Sequence, residues 1–347
     1  MEYKSILITG GAGFVGSNLA FKLKSHYPNV KIFVLDNLKR RGSELNVPRL
    51  KAAGISFIHG DIRNKEDFPY EISVDLIIEC SAEPSVLSGI YDSPQYLINT
   101  NLGGTVNCLE FARTKKAHMI FLSTSRVYPI KELNSLKYEE TETRFALKDI
   151  RGIYECFPMG KHRSLYGTTK LCSEFLLQEY INTYGIKGVI NRCGVIAGPW
   201  QMGKVDQGVA ALWMAAHYWK KPLTYIGFGG QGKQVRDFLH IDDLFNAVVI
   251  QINDIDKYNG RIFNLGGGLD ISLSLKEMTK LCQRLTGNKI SIKKKAENRP
   301  NDIRIYISDY SKFRQLSGWE PKKSVEDIFT DIYKWLKNND AALKNIL

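Results

Sequence analysis

Tyr166 and Lys170 are the pair in this sequence best suited to proton chemistry. In Tyr166-Gly167-Thr168-Thr169-Lys170 they stand four apart, so on a helix they are neighbours on one face. An unperturbed phenol titrates near pH ~10, and an adjacent ammonium favours its ionised form. Such a tyrosine can take a proton from a hydroxyl group. The spacing alone is a poor signal, because Tyr27/Lys31 and Tyr333/Lys337 repeat it and read as surface chance. Upstream, Phe121-Leu122-Ser123-Thr124-Ser125-Arg126-Val127-Tyr128 brings three hydroxyls to the end of an apolar run. One of them could hydrogen-bond a reacting oxygen and share its developing charge. Taken alone, Thr124 reads more simply as an ordinary β-forming residue.

The elements that must position these groups begin at the N-terminus. Ile6-Leu7-Ile8 lies in an apolar run that reads as a buried parallel strand over 5–10, and residues 14–25 read as a helix leaving it. Between them Gly10, Gly13 and Gly16 sit three apart. Glycine there permits a tight turn, close approach of backbone to a pyrophosphate and close packing of helix on strand. The phosphates would lie on the unpaired N–H groups of the helix N-terminus. A second strand over 31–35 runs into Asp36, twenty residues past Gly16, where a ribose-binding acid belongs. Together these features point to a dinucleotide site. An acid at this place accepts from a ribose 2′-hydroxyl and repels a 2′-phosphate, which favours NAD although Arg40 and Arg41 follow.

Strand-like runs at 5–10, 31–36, 55–60, 74–80 and 118–124 alternate with helical stretches. That alternation predicts an α/β fold, a Rossmann-type doubly wound parallel sheet with a smaller α/β substrate-binding cap. The expected division is a cofactor domain of residues 1–193 and 233–267 and a discontinuous cap of 194–232 and 268–347. Tyr166 would open a helix over 166–184 downstream of the fifth strand, which separates it from the two chance matches.

The chain has 347 residues, with 44% hydrophobic and 24% charged, ordinary for a globular protein. Its longest mostly apolar run, 209–219, is too short to span a bilayer. Chain start and first strand nearly coincide, so no signal peptide is expected. Six cysteines without CxxC or His spacing argue for reduced thiols and against a zinc site, so a cytoplasmic protein without a metal is expected. The net charge of +12 is dispersed apart from Lys39-Arg40-Arg41 and Lys293-Lys294-Lys295. A solvated basic surface explains it most simply, attraction of an anionic nucleotide second, and no nucleic-acid signature accompanies it.

These residues resemble the extended short-chain dehydrogenase/reductase family of nucleotide-sugar epimerases and dehydratases. The resemblance rests on GGAGFVG, Asp36, Asp61, the hydroxyl-rich strand end before Val127-Tyr128, and YGTTK, and it covers essentially the whole chain. It implies that Thr124, three residues before Val127, is the catalytic hydroxyl, with Tyr166 as base and Lys170 on the nicotinamide ribose. It implies NAD contacts at Gly10, Gly13, Phe14, Val15, Gly16, Asp36, Asn37, Asp61, Ile62, Ser81, Ala82, Tyr166 and Lys170. The family's 4,6-dehydratases place an acidic pair after the hydroxyl; Ser125 and Arg126 stand there instead.

A narrower resemblance lies in Asn191–Gly208, Tyr225–Asp237 and Ile305–Asp309, which look like the substrate segments of CDP-paratose 2-epimerases, also called CDP-tyvelose epimerases. It implies a nucleotide-diphosphate sugar as substrate, a CDP-linked deoxyhexose being favoured, and substrate contacts at Glu83, Arg126, Asn191, Gln207, Gly208, Tyr225, Arg236 and Arg299. Asn191 reads alternatively as a turn-capping amide, and Arg236 and Arg299 as partners of Asp237, Asp242 or Asp302. Two departures stand out: Asn301 occupies a usual Gly position, and Cys80-Ser81-Ala82-Glu83-Pro84 replaces a stretch where many relatives carry His and Gln. The family also implies a homo-oligomer. A UDP-hexose 4-epimerase on the same scaffold, a non-catalytic NAD-binding regulator and a nucleic-acid binder are the competing readings.

Overall fold

The computed structural model describes residues 3–204 and 207–347. Val205 and Asp206 of the expected substrate loop lie outside the described residues. Seven strands form the central sheet: β1 (Ser5–Thr9), β2 (Lys31–Asp36), β3 (Ser56–His59), β4 (Leu76–Glu79), β5 (His118–Thr124), β6 (Gly188–Cys193) and β7 (Ile262–Leu265). Their spatial order is β7-β6-β5-β4-β1-β2-β3, parallel at every pairing from β5 to β3. Every residue of β1, β4 and β6 is buried, as a sheet covered on both faces requires. β2 and β5 keep the expected limits, β1, β3 and β4 end a residue or two inside them, and the fold is the predicted Rossmann-type arrangement.

The chain steps from β1 outward through β2 and β3, then returns to the other side at β4. That reversal places the ligand crevice at the carboxyl ends of β1 and β4. Three helices pack the sheet near it: α1 (Phe14–His26), α2 (Gly104–Lys115) and α3 (Leu165–Tyr184). Leu109, Phe111 and Cys108 of α2 and Leu177 of α3 pack with Leu7, Ile77, Met119, Phe121 and Ile190 in one core cluster.

Two compact units emerge. The first comprises Met1–Thr124, Leu165–Arg192 and Phe245–Phe263; the second comprises Ser125–Ser164, Cys193–Leu244 and Asn264–Leu347. Residues 125–164, 193, 233–244 and 264–267, expected in the cofactor domain, therefore group with the second unit. The reason is in their bonding: Tyr128 donates to Asn264 Oδ1 (2.7 Å), Ile153 N–H to the Ile307 carbonyl (2.7 Å), and Arg144 pairs with Glu277. Strand Val235–His240 likewise pairs with Ser272–Ser274, Ile305–Tyr306 and Val195–Ala197, all in that unit.

In the second unit, helices Val209–Tyr218, Leu275–Thr286 and Val325–Asn338 pack together. Ser274 with Glu277 and Ser324 with Asp327 form capping boxes that start the latter two. Trp213 stacks on Tyr225 and donates to Thr279 (3.0 Å), while Trp219 donates to Asp340 (2.8 Å). Met202 is buried as well, so these three side chains serve packing. No described helix is long and apolar enough to cross a membrane.

Candidate active site

The glycine turn fits a dinucleotide on steric grounds. Gly10 takes φ +63°, and a Cβ on it would lie 3.0 Å from the Cys80 carbonyl carbon and Ser81 Cα, the backbone that follows β4. Gly16 is tighter: its Cβ would stand 2.3 Å from the Gly10 carbonyl oxygen and 2.7 Å from Gly11 Cα. Only bare backbone lets α1 start this close to the turn. Gly13 caps α1 with no side chain and no acid occupies the first turn, so its N–H groups and positive dipole end suit an anion.

Asp36 ends β2 with its two carboxylate oxygens accepting from Ala12 N–H (3.0 Å) and Leu38 N–H (2.8 Å). Burial raises its pKa against the pull of those amides. Remaining lone pairs can accept from ribose hydroxyls. Asp61 follows β3; burial opposes its ionisation, but Arg63 and the Asn37 amide prevail and bring it down to about 2. Asn37 donates to Asp61 over 2.8 Å, tying the ends of β2 and β3 together. Ile62 packs beneath Gly104, where a Cβ would meet its Cδ1 at 2.4 Å, and its carbonyl accepts from Asn107 (2.8 Å). Phe14 and Val15 open α1, and Ser81 and Ala82 follow β4 at the switch point, both half-buried. Replacement of Gly16 by Ala should lower NAD affinity at least about tenfold, because the methyl meets backbone that cannot yield. Isothermal calorimetry checks it, and unchanged affinity would detach the turn from the cofactor.

Thr124 is the last residue of β5 and is buried. Tyr166 is the second residue of α3 and half-buried, while Lys170 is 2% exposed. Lys170 Nζ lies 3.3 Å from Glu79 Oε2 and 3.9 Å from the centre of the Phe121 ring, which fixes the direction of this helix face toward β4 and β5. One turn on, Glu174 accepts from Ser123 and from Arg192 Nη2 (2.7 Å) and Nε (3.0 Å). Residues 166, 170 and 174 thus form one stripe, tied to β4, β5 and β6 by charged or polar bonds. Glu79 and Glu174 do not stand out in the sequence alone, and Ser123, one of the three strand-end hydroxyls, is committed to Glu174. An acid ending an otherwise apolar β4, and an acid at the next i+4 step beyond Tyr166 and Lys170, were the available signals.

The chance matches stay chance. Tyr27 caps α1 and Lys31 begins β2, so they share no helix; Tyr27 donates instead to Asn253 (2.8 Å). Tyr333 and Lys337 do share a helix, with Nζ 5.6 Å from the ring centre.

Glu83 is held through its backbone, its N–H donating to Asn101 Oδ1 (2.8 Å) and its carbonyl accepting from Asn101 Nδ2 (3.0 Å). Its carboxylate accepts from Ser85 N–H (3.2 Å). Asn191 requires a correction. It lies inside β6, which runs to Cys193. Fully buried, its amide exchanges reciprocal 2.8 Å hydrogen bonds with Gln251. That pairing fits neither a diphosphate contact nor a turn cap.

In the second unit, Arg236 donates to the Ile303 carbonyl (2.6 Å) and pairs with Asp302 (3.3 Å), one of the partners left open by sequence. Burial lowers its pKa to about 10, with the nearby Arg126 and Arg299 adding to the effect and Asp302 opposing it. Three guanidiniums therefore stand near two carboxylates, Asp302 and Asp237, a surplus of positive charge suited to phosphate oxygens. Arg126 donates to the Asn301 carbonyl at 3.4 Å. Asn301 has φ +60°, which accounts for the glycine usual there: asparagine is among the few L-residues that tolerate this region. Gln207 exchanges backbone hydrogen bonds with Lys204, and Gly208, at φ +69°, caps the helix that follows. Tyr225 turns its hydroxyl inward to donate to Thr279 (2.7 Å), leaving only the backbone of its strand for a ligand.

Asp237 is completely buried beside Ser308 and Gly266; a Cβ on Gly266 would lie 2.2 Å from both Asp237 Oδ2 and Ser308 Oγ. Burial raises its pKa to about 6, with Ser308 and the Gly268 N–H opposing. From about pH 4 to 6 the folded chain keeps a proton that the unfolded chain has lost, so this group's contribution to stability falls as pH rises through that window. Asp237→Asn should flatten that slope, as read from urea unfolding midpoints across the window; an unchanged slope would assign it elsewhere.

A parallel seven-stranded sheet with a glycine turn, an acid ending its second strand and a Tyr–Lys stripe defines an NAD-dependent enzyme of the short-chain dehydrogenase/reductase type. The chain belongs to the NAD dependent epimerase/dehydratase family, whose model matches residues 6–266. It is 33% identical to the CDP-paratose 2-epimerase of Salmonella typhi, over 95% of this chain and 98% of that protein. Among solved structures it resembles Pal from Bacillus thuringiensis, with TM-score 0.80 and 28% identity over 96% of this chain and 99% of that one. It also resembles the Thermus thermophilus UDP-glucose 4-epimerase in complex with NAD, with TM-score 0.79 and 25% identity over the same shares. NAD is the cofactor of this family.

Proposed function

We propose that the chain epimerises a nucleotide sugar at one carbon, and that the substrate pair is CDP-paratose and CDP-tyvelose, inverted at position 2. The observation that carries the chemistry is the α3 stripe: Tyr166 one turn before a Lys170 buried against β4 and β5, at the carboxyl side of the sheet. NAD, when bound, supplies the hydride acceptor and donor. Tyr166 takes the proton from the substrate hydroxyl and returns it after inversion; Thr124 hydrogen-bonds the same oxygen. Lys170 stabilises the phenolate and holds the nicotinamide ribose. Arg126, Arg236 and Arg299 hold the diphosphate, and backbone around Gln207, Gly208 and Tyr225 holds the base. Glu83 faces the sugar.

Ser125 and Arg126, where the dehydratases carry acids, support epimerisation over elimination of water. The Salmonella typhi relative supports the CDP sugar. Incubation of the purified protein and NAD with CDP-tyvelose, CDP-paratose, UDP-glucose and UDP-galactose, resolved by chromatography, tests the reading. Interconversion of the CDP pair alone is expected. Interconversion of the UDP pair alone would move the reaction to position 4, and no turnover with any would favour a non-catalytic NAD-binding role. The chain is expected to act as a cytoplasmic homo-oligomer.

A further inference from the structure

We propose that Glu79 is a positioning residue for this reaction: from the end of β4 it holds the Lys170 ammonium charged and in one place beside Tyr166. The inference rests on the roles given to Tyr166 and Lys170 above. Glu79 is wholly buried and Lys170 2% exposed, with Oε2 and Nζ 3.3 Å apart. Burying either charge alone would be costly enough to neutralise it, so each depends on the other for its ionised form. The remaining neighbours cannot replace the carboxylate. From β5 the Phe121 ring offers only its π-face, 3.9 Å from Nζ. From α2 the Cys108 thiol is kept protonated by burial and by Glu79 itself. From β1 the Thr9 hydroxyl is neutral and buried. On α3 itself, Tyr166 is the group to be activated and Glu174 is committed to Arg192 and Ser123.

The pair does not resemble a bond placed for stability. Glu79 Oε1 has no hydrogen-bond partner among the described residues. Burial raises the pKa of Glu79 against the attraction of Lys170 and the Ser81 amide. A buried pair with an unsatisfied oxygen adds little over an apolar replacement, so its benefit lies in what the ammonium does next. With Glu79 neutral, burial favours the uncharged amine, and Tyr166 loses the cation that stabilises its phenolate.

The test follows the Lys170 side chain directly. Full-length protein labelled with 13Cε-lysine, with and without NAD, is titrated by NMR, the Lys170 resonance being the one absent from Lys170→Met. In Glu79→Gln the resonance should titrate at least about one pH unit lower than in the unaltered protein, a tenfold loss of proton affinity. The alkaline limb of kcat/KM should move with it. Glu79→Asp, which keeps the charge but withdraws it by one methylene, should show a smaller shift in the same direction and serves if the Gln variant does not fold. A Lys170 resonance titrating identically in the unaltered protein and the variants overturns the proposal. That result would leave the Tyr166 assignment intact, because Tyr166→Phe turnover judges it separately. A merely structural Glu79 would lower the melting temperature without moving the titration.

Discussion

Tyr166→Phe lowers turnover of the nucleotide sugar by about 10²- to 10⁴-fold, the range spanned by a positioned general base. The change deletes one oxygen from a half-buried ring near the start of α3, so neither a core cavity nor a lost cap accompanies it. NAD affinity should stay within about threefold, since the glycine turn and Asp36 are untouched and Lys170 keeps its Glu79 partner. KM should change little for the same reason, leaving the loss in kcat, as expected for a group that acts in the transition state. Initial rates at saturating sugar, with NAD binding followed by calorimetry, check both halves. A Phe variant that turned over normally would place the base elsewhere. Thr124→Val should cost less, because a neutral hydrogen bond shares charge without moving the proton.

How far the sequence revealed this site depends on the kind of signal. Local signals read well. The apolar run into Gly10, Gly13 and Gly16, and Asp36 at the end of β2, specify strand, turn and helix through steric rules that operate within a few residues. Burial periodicity marked β4, β5 and α3 to within a residue or two. Relations between distant residues did not read. Asn191 sits in the apolar strand β6, yet its partner Gln251 is sixty positions away and nothing near Asn191 announces it. Glu79 was passed over because an acid ending an apolar strand looks like the start of a loop, and only the fold brings Lys170 to it. The compact units divide the chain differently from the expected domains for the same reason: residues 125–164 carry no composition change, and their allegiance is decided by bonds such as Tyr128 to Asn264. Asn301 is the intermediate case: its departure from the usual glycine is plain in the sequence, while the left-handed backbone behind that glycine is seen only in the fold.

The largest effect on stability is expected at Arg192→Met, with a loss of about 3–5 kcal/mol. Arg192 and Glu174 are 5% and 0% exposed, and the guanidinium meets both carboxylate oxygens. Methionine fills much of the volume, so packing loss is secondary; the main cost is a carboxylate left buried with the Ser123 hydroxyl still donating to it but no charge opposite. Urea unfolding followed by circular dichroism should show the midpoint falling with an unchanged slope. The double replacement Glu174→Leu with Arg192→Met separates charge from packing. If the stranded carboxylate is the cause, the double variant should recover most of the loss, since well-packed apolar pairs often equal buried ion pairs. It should not recover activity. Ser123 precedes Thr124 on β5 and Glu174 lies one turn beyond Lys170, so this bond sets the register of the helix that carries the phenol against the strand that carries the hydroxyl. A double variant restored in both stability and turnover would show that packing alone sets that register.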